Sequence, residues 1–523
     1  MRRAACLLLA LAGCSNEGPG GPLEEPFIPC DRPRPEGQSI PFLDATAALG
    51  VDFVHHPATG MCDVVDTVGG PGVCAFDHDG DGDIDLYFAD RAPHPNRLYR
   101  NDGDHFTDVT EESGAGLADD SQSCLAFDHD ADGDLDLFVG NLGPDRLLRN
   151  DGGVFTDVTG ESGLIEDGFT SSATAGDIDA DGDLDLFVAH FVTPDTCPKP
   201  YCWPSPGSCK PEPNALFIND GGVFHEAAAE RGITHLEPTL AALLFDLDAD
   251  GDLDLFAGND IGFKYVDRFY RNDGEGFFTE EGESAGLWLS GTDTMGVDVG
   301  DADGDGTLDL VVSDYRDQPV RLVRCPDPDA PCEMVGINQE SAASVKWSIA
   351  LADIDQDADL DIFTASGHVV VPEGYPGDAH QLHWNDGFGV FKAHSPGPGD
   401  PLAEKHLGRG AALADLDGDL DLDVVIANAG GPAQVLLNQA AAGFGLLVEL
   451  STLSAGARVT VTGRDVQRTE QALVGGTYAG SSDPRVHFGL GGACSVDVTV
   501  EWPGGGSKTL AGVQTGTRLR VER

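Results

Sequence analysis

Seven acidic runs along the chain each end in an aspartate that sits between two aliphatic residues. Ile84 and Leu86 flank Asp85, Leu135 and Leu137 flank Asp136, and Leu184 and Leu186 flank Asp185. Leu253 and Leu255 flank Asp254, Leu308 and Leu310 flank Asp309, Leu360 and Ile362 flank Asp361, and Leu422 and Val424 flank Asp423. Alternation with period two is a strand signal. The apolar runs that follow, such as DLYFAD, DLFVGN and DLFVAH, predict a strand leaving each place. Five residues beyond each aspartate stands a polar residue (Asp90, Asn141, His190, Asn259, Asp314, Ser366, Asn428), which predicts a turn at the strand's end.

A second alternating segment follows most of these strands and ends in a turn signal. It reads RLYRNDG, RLLRNDG, ALFINDG, RFYRNDG, QLHWNDG and, without the Gly, QVLLNQ. Asn-Asp-Gly after such alternation predicts a hairpin. A third segment, FTDVT at Phe106 and Phe155 with weaker copies at Phe224 and Phe278, predicts one more short strand. No amphipathic helical stretch intervenes. The unit is therefore several short strands joined by tight turns. Seven units of roughly 50 residues fit the blades of a β-propeller. The expected fold class is all-β, a seven-bladed β-propeller over 41–440 followed by a small β-sandwich over 446–523. An open solenoid is the competing arrangement. Phe42-Leu43-Asp44-Ala45-Thr46 copies the third segment ahead of the first unit, and the last unit lacks one. This predicts that the N-terminal strand completes the last blade and closes the ring. Residues 446–523 read as alternating strands in LLVEL, ARVTVTG, VHFGL, SVDVTVEW and TRLRVE.

The segment before each flanked aspartate is D-x-D-x-D-G-x-x-D, starting at Asp77, Asp128, Asp177, Asp246, Asp301, Asp353 and Asp415. Positions 1, 3, 5 and 9 are Asp in all seven copies, and Glu never replaces it there. A merely acidic surface would scatter its charges and use both residues. Gly at position 6 (Gly82, Gly133, Gly182, Gly251, Gly306) permits a sharp turn that gathers the carboxylates. Four carboxylates so close repel unless a cation lies between them. Hard oxygens in this number suit Ca²⁺, which takes six to eight at about 2.3–2.6 Å, better than Mg²⁺, which prefers a strict octahedron. The expected ligands, with position 7 contributing its backbone carbonyl, are as follows along the chain. The first three loops supply Asp77, Asp79, Asp81, Asp83 and Asp85; Asp128, Asp130, Asp132, Asp134 and Asp136; and Asp177, Asp179, Asp181, Asp183 and Asp185. The fourth and fifth supply Asp246, Asp248, Asp250, Asp252 and Asp254, then Asp301, Asp303, Asp305, Thr307 and Asp309. The last two supply Asp353, Asp355, Asp357, Asp359 and Asp361, then Asp415, Asp417, Asp419, Asp421 and Asp423. Ala358 and Leu420 replace the position-6 Gly in these two, so the count expected is five to seven calcium ions, the last two sites being weaker or empty.

Charge sharpens the division of the chain. Lys and Arg total 30 against 90 Asp and Glu, a formal net charge of −60. That excludes general nucleic-acid binding, which needs a basic footprint, and disfavours docking on an anionic lipid surface. Residues 446–523 hold eight basic and seven acidic residues and carry +1, leaving −61 on 1–445. This shift marks a boundary near 440–446.

Met1-Arg2-Arg3 precedes a short apolar run and Leu11-Ala12-Gly13-Cys14. Residues 1–13 read as a signal peptide, Cys14 as an acylated lipoprotein cysteine, and 14–40 as a Pro/Gly-rich tether. The expected location is the bacterial outer membrane or cell surface, with a secreted or periplasmic protein as the alternative. Contact with membrane is then only through the N-terminal lipid. In an exported protein the remaining cysteines are expected as disulfides. Candidates are Cys62–Cys74, Cys325–Cys332 and a pair among Cys197, Cys202 and Cys209, whose zinc reading is weak for want of a paired C-x-x-C.

His55-His56, His190 and His368 are the histidines considered as ligands or bases. A turn or cap role suits His190, at the polar strand end, and no acid–base partner is identifiable by spacing for His55-His56. G-x-S-x-G, H-E-x-x-H and phosphate-loop motifs do not occur.

These loops resemble FG-GAP/VCBS repeats, and the whole chain resembles the cartilage acidic protein family, repeats followed by an ASPIC/UnbV domain. The stretches that carry the resemblance are FVHHPATG (53–60), GGPGVCAFDHDGDGDIDLYF (69–88), GRGAALADLDGDLDLDVV (408–425), GARVTV (456–461), HFGLG (487–491) and EWPGG (501–505). It implies a seven-bladed propeller, calcium held by the loop Asp residues, and adhesion-like or matrix roles. The sixth and seventh loops and a Pro/Cys-rich insertion near 193–213 depart from the pattern. The expectation is a non-enzymatic, cell-envelope-anchored binding, adhesion or scaffold module for an unidentified protein or glycan. The alternative is a carbohydrate-active enzyme of lyase or hydrolase type on a calcium propeller.

Overall fold

The computed structural model describes residues 41–57, 68–197, 209–315, 319–326, 330–337, 344–369, 375–439, 445–452, 454–464 and 466–523. The expected leader, Cys14 and the tether lie outside the described residues, as do Cys62 and Cys202.

Each repeat folds as a four-stranded antiparallel meander, and there are seven. Blade 1 runs Val73–Phe76, Asp85–Phe88, Arg97–Asn101 and Phe106–Asp108. The acidic loop joins its first two strands, the Asn-Asp-Gly hairpin its last two. Blades 2 to 6 repeat this order with first strands Ser121–Phe127, Asp167–Gly176, Thr239–Phe245, Thr294–Gly300 and Lys346–Ala352. Blade 7 begins with Gly408–Ala414 and takes its outermost strand from the other end of the chain. Phe42–Asp44 pairs with Gln434–Asn438 in the register Phe42↔Asn438, Leu43↔Leu437, Asp44↔Leu436. The seven first strands pack side by side in a closed cycle, the last against the first. The molecule is a seven-bladed β-propeller, closed as the N-terminal copy of the third segment predicts.

The aliphatics at loop positions 8 and 10 are buried between blades, for example Ile84, Leu86, Leu184 and Leu186. Position 9 differs from simple alternation, because Asp85, Asp136 and Asp185 are buried as completely as their neighbours. One-turn helices absent from the sequence reading, Thr110–Ser113, Thr159–Ser162 and Gly282–Ala285, follow the fourth strands of blades 1, 2 and 4. A left-handed Gly ends each (Gly114, Gly163, Gly286), which is why FTDVT segments run into glycine.

Residues 445–523 form two packed sheets. One holds Gly445–Glu449, Val486–Gly489 and Thr517–Arg520; the other holds Gln467–Gln471, Arg458–Thr462, Ser495–Glu501 and Ser507–Gln514. Val448, Val459, Phe488 and Val498 fill the space between them. This is the expected sandwich, with two strands, Gln467–Gln471 and Ser507–Gln514, that the alternation did not reveal.

Cys325–Cys332 pairs as expected, and Cys197 pairs with Cys209. The Cys62–Cys74 expectation is wrong: Cys74 bonds Cys124. Proximity in sequence misled here, since first strands of adjacent blades lie side by side and bring these Cα atoms to 6.1 Å.

Candidate metal centres

The acidic loop is built from its first aspartate outward. Asp77 accepts the amides of Gly80 (2.9 Å) and Asp81 (3.2 Å) on one oxygen and Gly82 (2.9 Å) on the other. Asp128, Asp177, Asp246 and Asp353 brace their loops through the amides of positions 5 and 6 in the same way. Such a ring closes only if the backbone turns left-handed twice. Position 6 does so at φ 95° in Gly82, 99° in Gly133 and 101° in Gly182. Ala358 (79°) and Leu420 (69°) adopt the same turn without being Gly. Position 4 is left-handed too, at Gly80, Gly304 and Gly418 and also at Ala131, Ala180, Ala249 and Gln356, a requirement the motif did not reveal because Gly fills only three of the seven places.

Position 9 closes the loop from below. Asp85 accepts the His78 amide at 2.8 Å and the Asn101 amide at 2.7 Å. Asp136, Asp185, Asp361 and Asp423 each take the equivalent pair of amides. Position 7 side chains do other work: Asp134 and Asp183 accept the hairpin amides of Gly152 and Gly221.

Carboxylate oxygens of Asp77, Asp79 and Asp81 lie within 4.8 Å of one another, as do those of Asp128, Asp130 and Asp132, and of Asp177, Asp179 and Asp185. Oxygens arranged on a sphere of about 2.3–2.6 Å around one cation have this separation. The Oδ1 atoms of Asp79, Asp130, Asp179 and Asp248, position 3 of four loops, are buried with no hydrogen-bond partner. An unpaired buried carboxylate oxygen is costly, and a cation answers that cost. Burial pushes Asp177 and Asp246 up to about 6, and Asp185 and Asp254 up to about 8. The residues fit a hard cation held by oxygen.

Arginines reach five of the loops, two of them from the C-terminal sandwich, where Arg468 pairs with Asp359 and Arg518 lies 3.3 Å from Asp415. Arg271 reaches both Asp248 and Asp254 at 2.6 Å, bridging positions 3 and 9 of the fourth loop. Arg231 lies 3.2 Å from Asp179, and Arg324 lies 3.5 Å from Asp303. The sequence reading missed these counter-charges. The Arg before Asn-Asp-Gly was the available signal for Arg271 alone.

The Asn of that motif does more than turn. Its side-chain amide donates to the position-8 carbonyl of its own loop and to the position-2 carbonyl of the preceding blade's loop. Asn150 bonds Leu135 and His78, Asn219 bonds Leu184 and His129, and Asn272 bonds Leu253 and Ile178. Asn385 and Asn438 repeat this for blades 6 and 7. Blade 5 has Cys325 there, with its disulfide to Cys332 in place of the hairpin.

The histidines take structural places. His190 donates from Nδ1 to the Pro213 carbonyl at 2.7 Å and is buried at its strand end, as expected. His55 accepts the Gly430 amide at 3.0 Å, and His56 pairs with Asp90 at 2.8 Å. His368 is buried against Tyr375.

Residues 77–139, 128–188 and 246–312 match the model of the FG-GAP-like repeat, and residues 449–523 match ASPIC and UnbV. The chain is 24% identical over 331 residues to cartilage acidic protein 1 of Mus musculus, covering 59% of this chain and 49% of that protein. It is 25% identical over 313 residues to cartilage acidic protein 1 of Homo sapiens, covering 56% and 45%. The chain thus spans about half the length of the curated relatives it matches. Among solved structures, an Agrocybe aegerita lectin recognising non-reducing terminal N-acetylglucosamine aligns at TM-score 0.39 and 15% identity, over 70% of this chain and 87% of the lectin. A luciferin-regenerating enzyme aligns at TM-score 0.32 and 13% identity, over 65% and 94%. The repeat loops and the terminal sandwich together place this chain among the FG-GAP repeat proteins that end in an ASPIC and UnbV domain.

Proposed function

We propose that this is an exported, calcium-stabilised propeller that serves as a binding, adhesion or scaffold module for a protein or glycan. The observation that carries the calcium reading is the recurring orphan oxygen at position 3 of four loops. The ion would be held by the carboxylates of positions 1, 3, 5 and 9 and the carbonyl of position 7. Once bound, it cancels their repulsion and pins the first hairpin of each blade. Three disulfides among the described residues support an exported protein.

The centre of the ring supports a role at outer surfaces. Trp347, Phe169, Leu240, Met295 and Tyr478 fill it in one apolar cluster, to which Cys197 and Cys209 of blade 3 also belong. The enzyme alternative would need Lys, Arg, His or Tyr converging on an open funnel.

Two experiments test the reading. Metal analysis of the purified full chain is expected to find bound calcium, and Asp130→Ala is expected to lower the melting temperature in calcium. Absence of bound metal would discard the calcium reading. A glycan array and a pull-down with calcium-loaded protein test the binding role, and turnover of a bound glycan would favour the enzyme.

A further inference from the structure

The C-terminal sandwich sits on the face of the ring that carries the acidic loops, and it contacts them in a regular way. Arg485 and Arg518 donate to the Gly82 carbonyl at 3.3 and 2.8 Å. Arg458 donates to the Gly306 carbonyl at 2.9 Å. Arg468 donates to the Ala358 carbonyl, and His487 to the Leu420 carbonyl at 3.0 Å. All four acceptors are position 6 of their loops, and the loops belong to the contiguous blades 5, 6, 7 and 1. A position-6 carbonyl is presented there only while its residue is left-handed, the turn that gathers the carboxylates. Two of the four residues, Ala358 and Leu420, hold that turn against their own preference, and each has its carbonyl capped by the sandwich.

A second set of contacts enters the channel. The segment Val474–Ser482, rich in glycine, leaves the sandwich and threads along the first strands of the blades. Ala75 donates to the Ser481 carbonyl at 3.0 Å and Ser481 donates back to Val73 at 3.1 Å. Ala175 donates to the Val474 carbonyl at 3.1 Å, and Ser348 donates to the Tyr478 carbonyl at 2.9 Å. Tyr478 is 1% exposed, packs its ring 4.8 Å from that of Trp347 at a tilt of 44° and donates its hydroxyl to the Val68 carbonyl. The fit demands glycine on both sides. A Cβ on Gly480 would lie 2.5 Å from the Val73 oxygen, and one on Gly72 would lie 2.2 Å from the Ala479 oxygen.

We propose that the C-terminal domain is a calcium-dependent latch, which reads the ion-binding turn of the loops in blades 5, 6, 7 and 1 and keeps Val474–Ser482 in the channel only while those turns are formed. This rests on the calcium reading of the loops. Thermodynamic reciprocity then requires the seated domain to tighten calcium binding by the factor with which calcium tightens seating. Simple Coulomb repulsion has the opposite sign: an Arg beside a loop weakens calcium, and removing it strengthens calcium.

The test uses the full chain with its disulfides intact. Calcium binding is measured directly, and hydrogen exchange is followed at Ala75, Ala175 and Ser481 with Val311 and Val425 as controls inside the blades. Chelation is expected to speed exchange at the first three at least about tenfold while the controls stay protected. Arg468→Gln and Arg518→Gln are expected to weaken calcium binding by about tenfold in Kd while each variant keeps its melting transition. Calcium bound, but channel exchange unchanged by chelation, overturns the latch and leaves the calcium reading standing. Tighter calcium binding in the two variants also overturns the latch, since charge alone then accounts for the contacts. Loss of protection in channel and blades together overturns it as well. Protein that binds no calcium overturns both.

Discussion

The side-chain amide of Asn101, in the first blade, donates to the main-chain carbonyl of Leu416, in the last, at 2.9 Å. The two residues lie 315 apart in sequence, and their bond seals the same joint that the Phe42–Asp44 strand closes. Both partners are buried, so removing the amide leaves a carbonyl unsatisfied. Asn101→Ala is expected to cost about 1–3 kcal/mol, read from the midpoint of guanidinium unfolding. A midpoint unchanged from the parent would show that the joint is held by the outer strand alone.

Gly133 and Ala358 occupy equivalent turns at φ 99° and 79°. A side chain in the left-handed region costs about 1–2 kcal/mol. Gly133→Val is therefore expected to lower stability, and Ala358→Gly to raise it, the latter by a melting shift of about 1–2 °C in a chain of this size. Calorimetry in calcium distinguishes the two directions. Destabilisation by Ala358→Gly would mean that the methyl group's packing outweighs the turn.

Arg271 spans Asp248 and Asp254 and so stands where the fourth loop's cation would draw its charge. Arg271→Met is expected to tighten calcium at that loop by about tenfold, as the removal of one nearby positive charge allows. Titration calorimetry on parent and variant reads the change. Equal affinity in both would mean that the guanidinium swings clear on binding.

Protonation sets a pH dependence with a definite sign. Burial pushes Asp301 up to about 6, Asp309 to about 7, and Asp185 and Asp254 to about 8, all from 3.8. A folded pKa above the unfolded one means the folded chain holds protons more tightly. The stability this contributes is complete below about pH 4 and is lost as pH rises through 6 to 8. Chelated protein is thus expected to weaken from pH 5 to pH 8. Calcium takes the place of those protons, so its stabilising effect grows over the same range. Melting curves with calcium and with chelator should diverge as pH rises, and a constant gap would contradict the linkage.

The Cys74–Cys124 disulfide ties the first strands of blades 1 and 2. The loop it closes has a sequence separation of 50, which by chain entropy stabilises by about 4 kcal/mol. Cys124→Ser with Cys74→Ser is expected to lower the unfolding midpoint by a corresponding amount, and a loss confined to a few tenths of a kcal/mol would count against a structural role.

The local devices of this protein were legible in its residues. Strand alternation, the acidic loop, the hairpin after Asn and the displaced copy at Phe42 each depend on a few neighbouring positions. Backbone geometry converts such spacing directly into turns and strands. Even the number of blades and the closure of the ring follow from counting those units. The partners across space were not legible. Asn150 finds His78, Cys74 finds Cys124, Arg468 finds Ala358 and Tyr478 finds Trp347 only after seven blades have curved into a ring and the sandwich has settled on one face. These contacts join segments dozens to hundreds of residues apart, and no spacing rule relates such segments until packing brings their surfaces together.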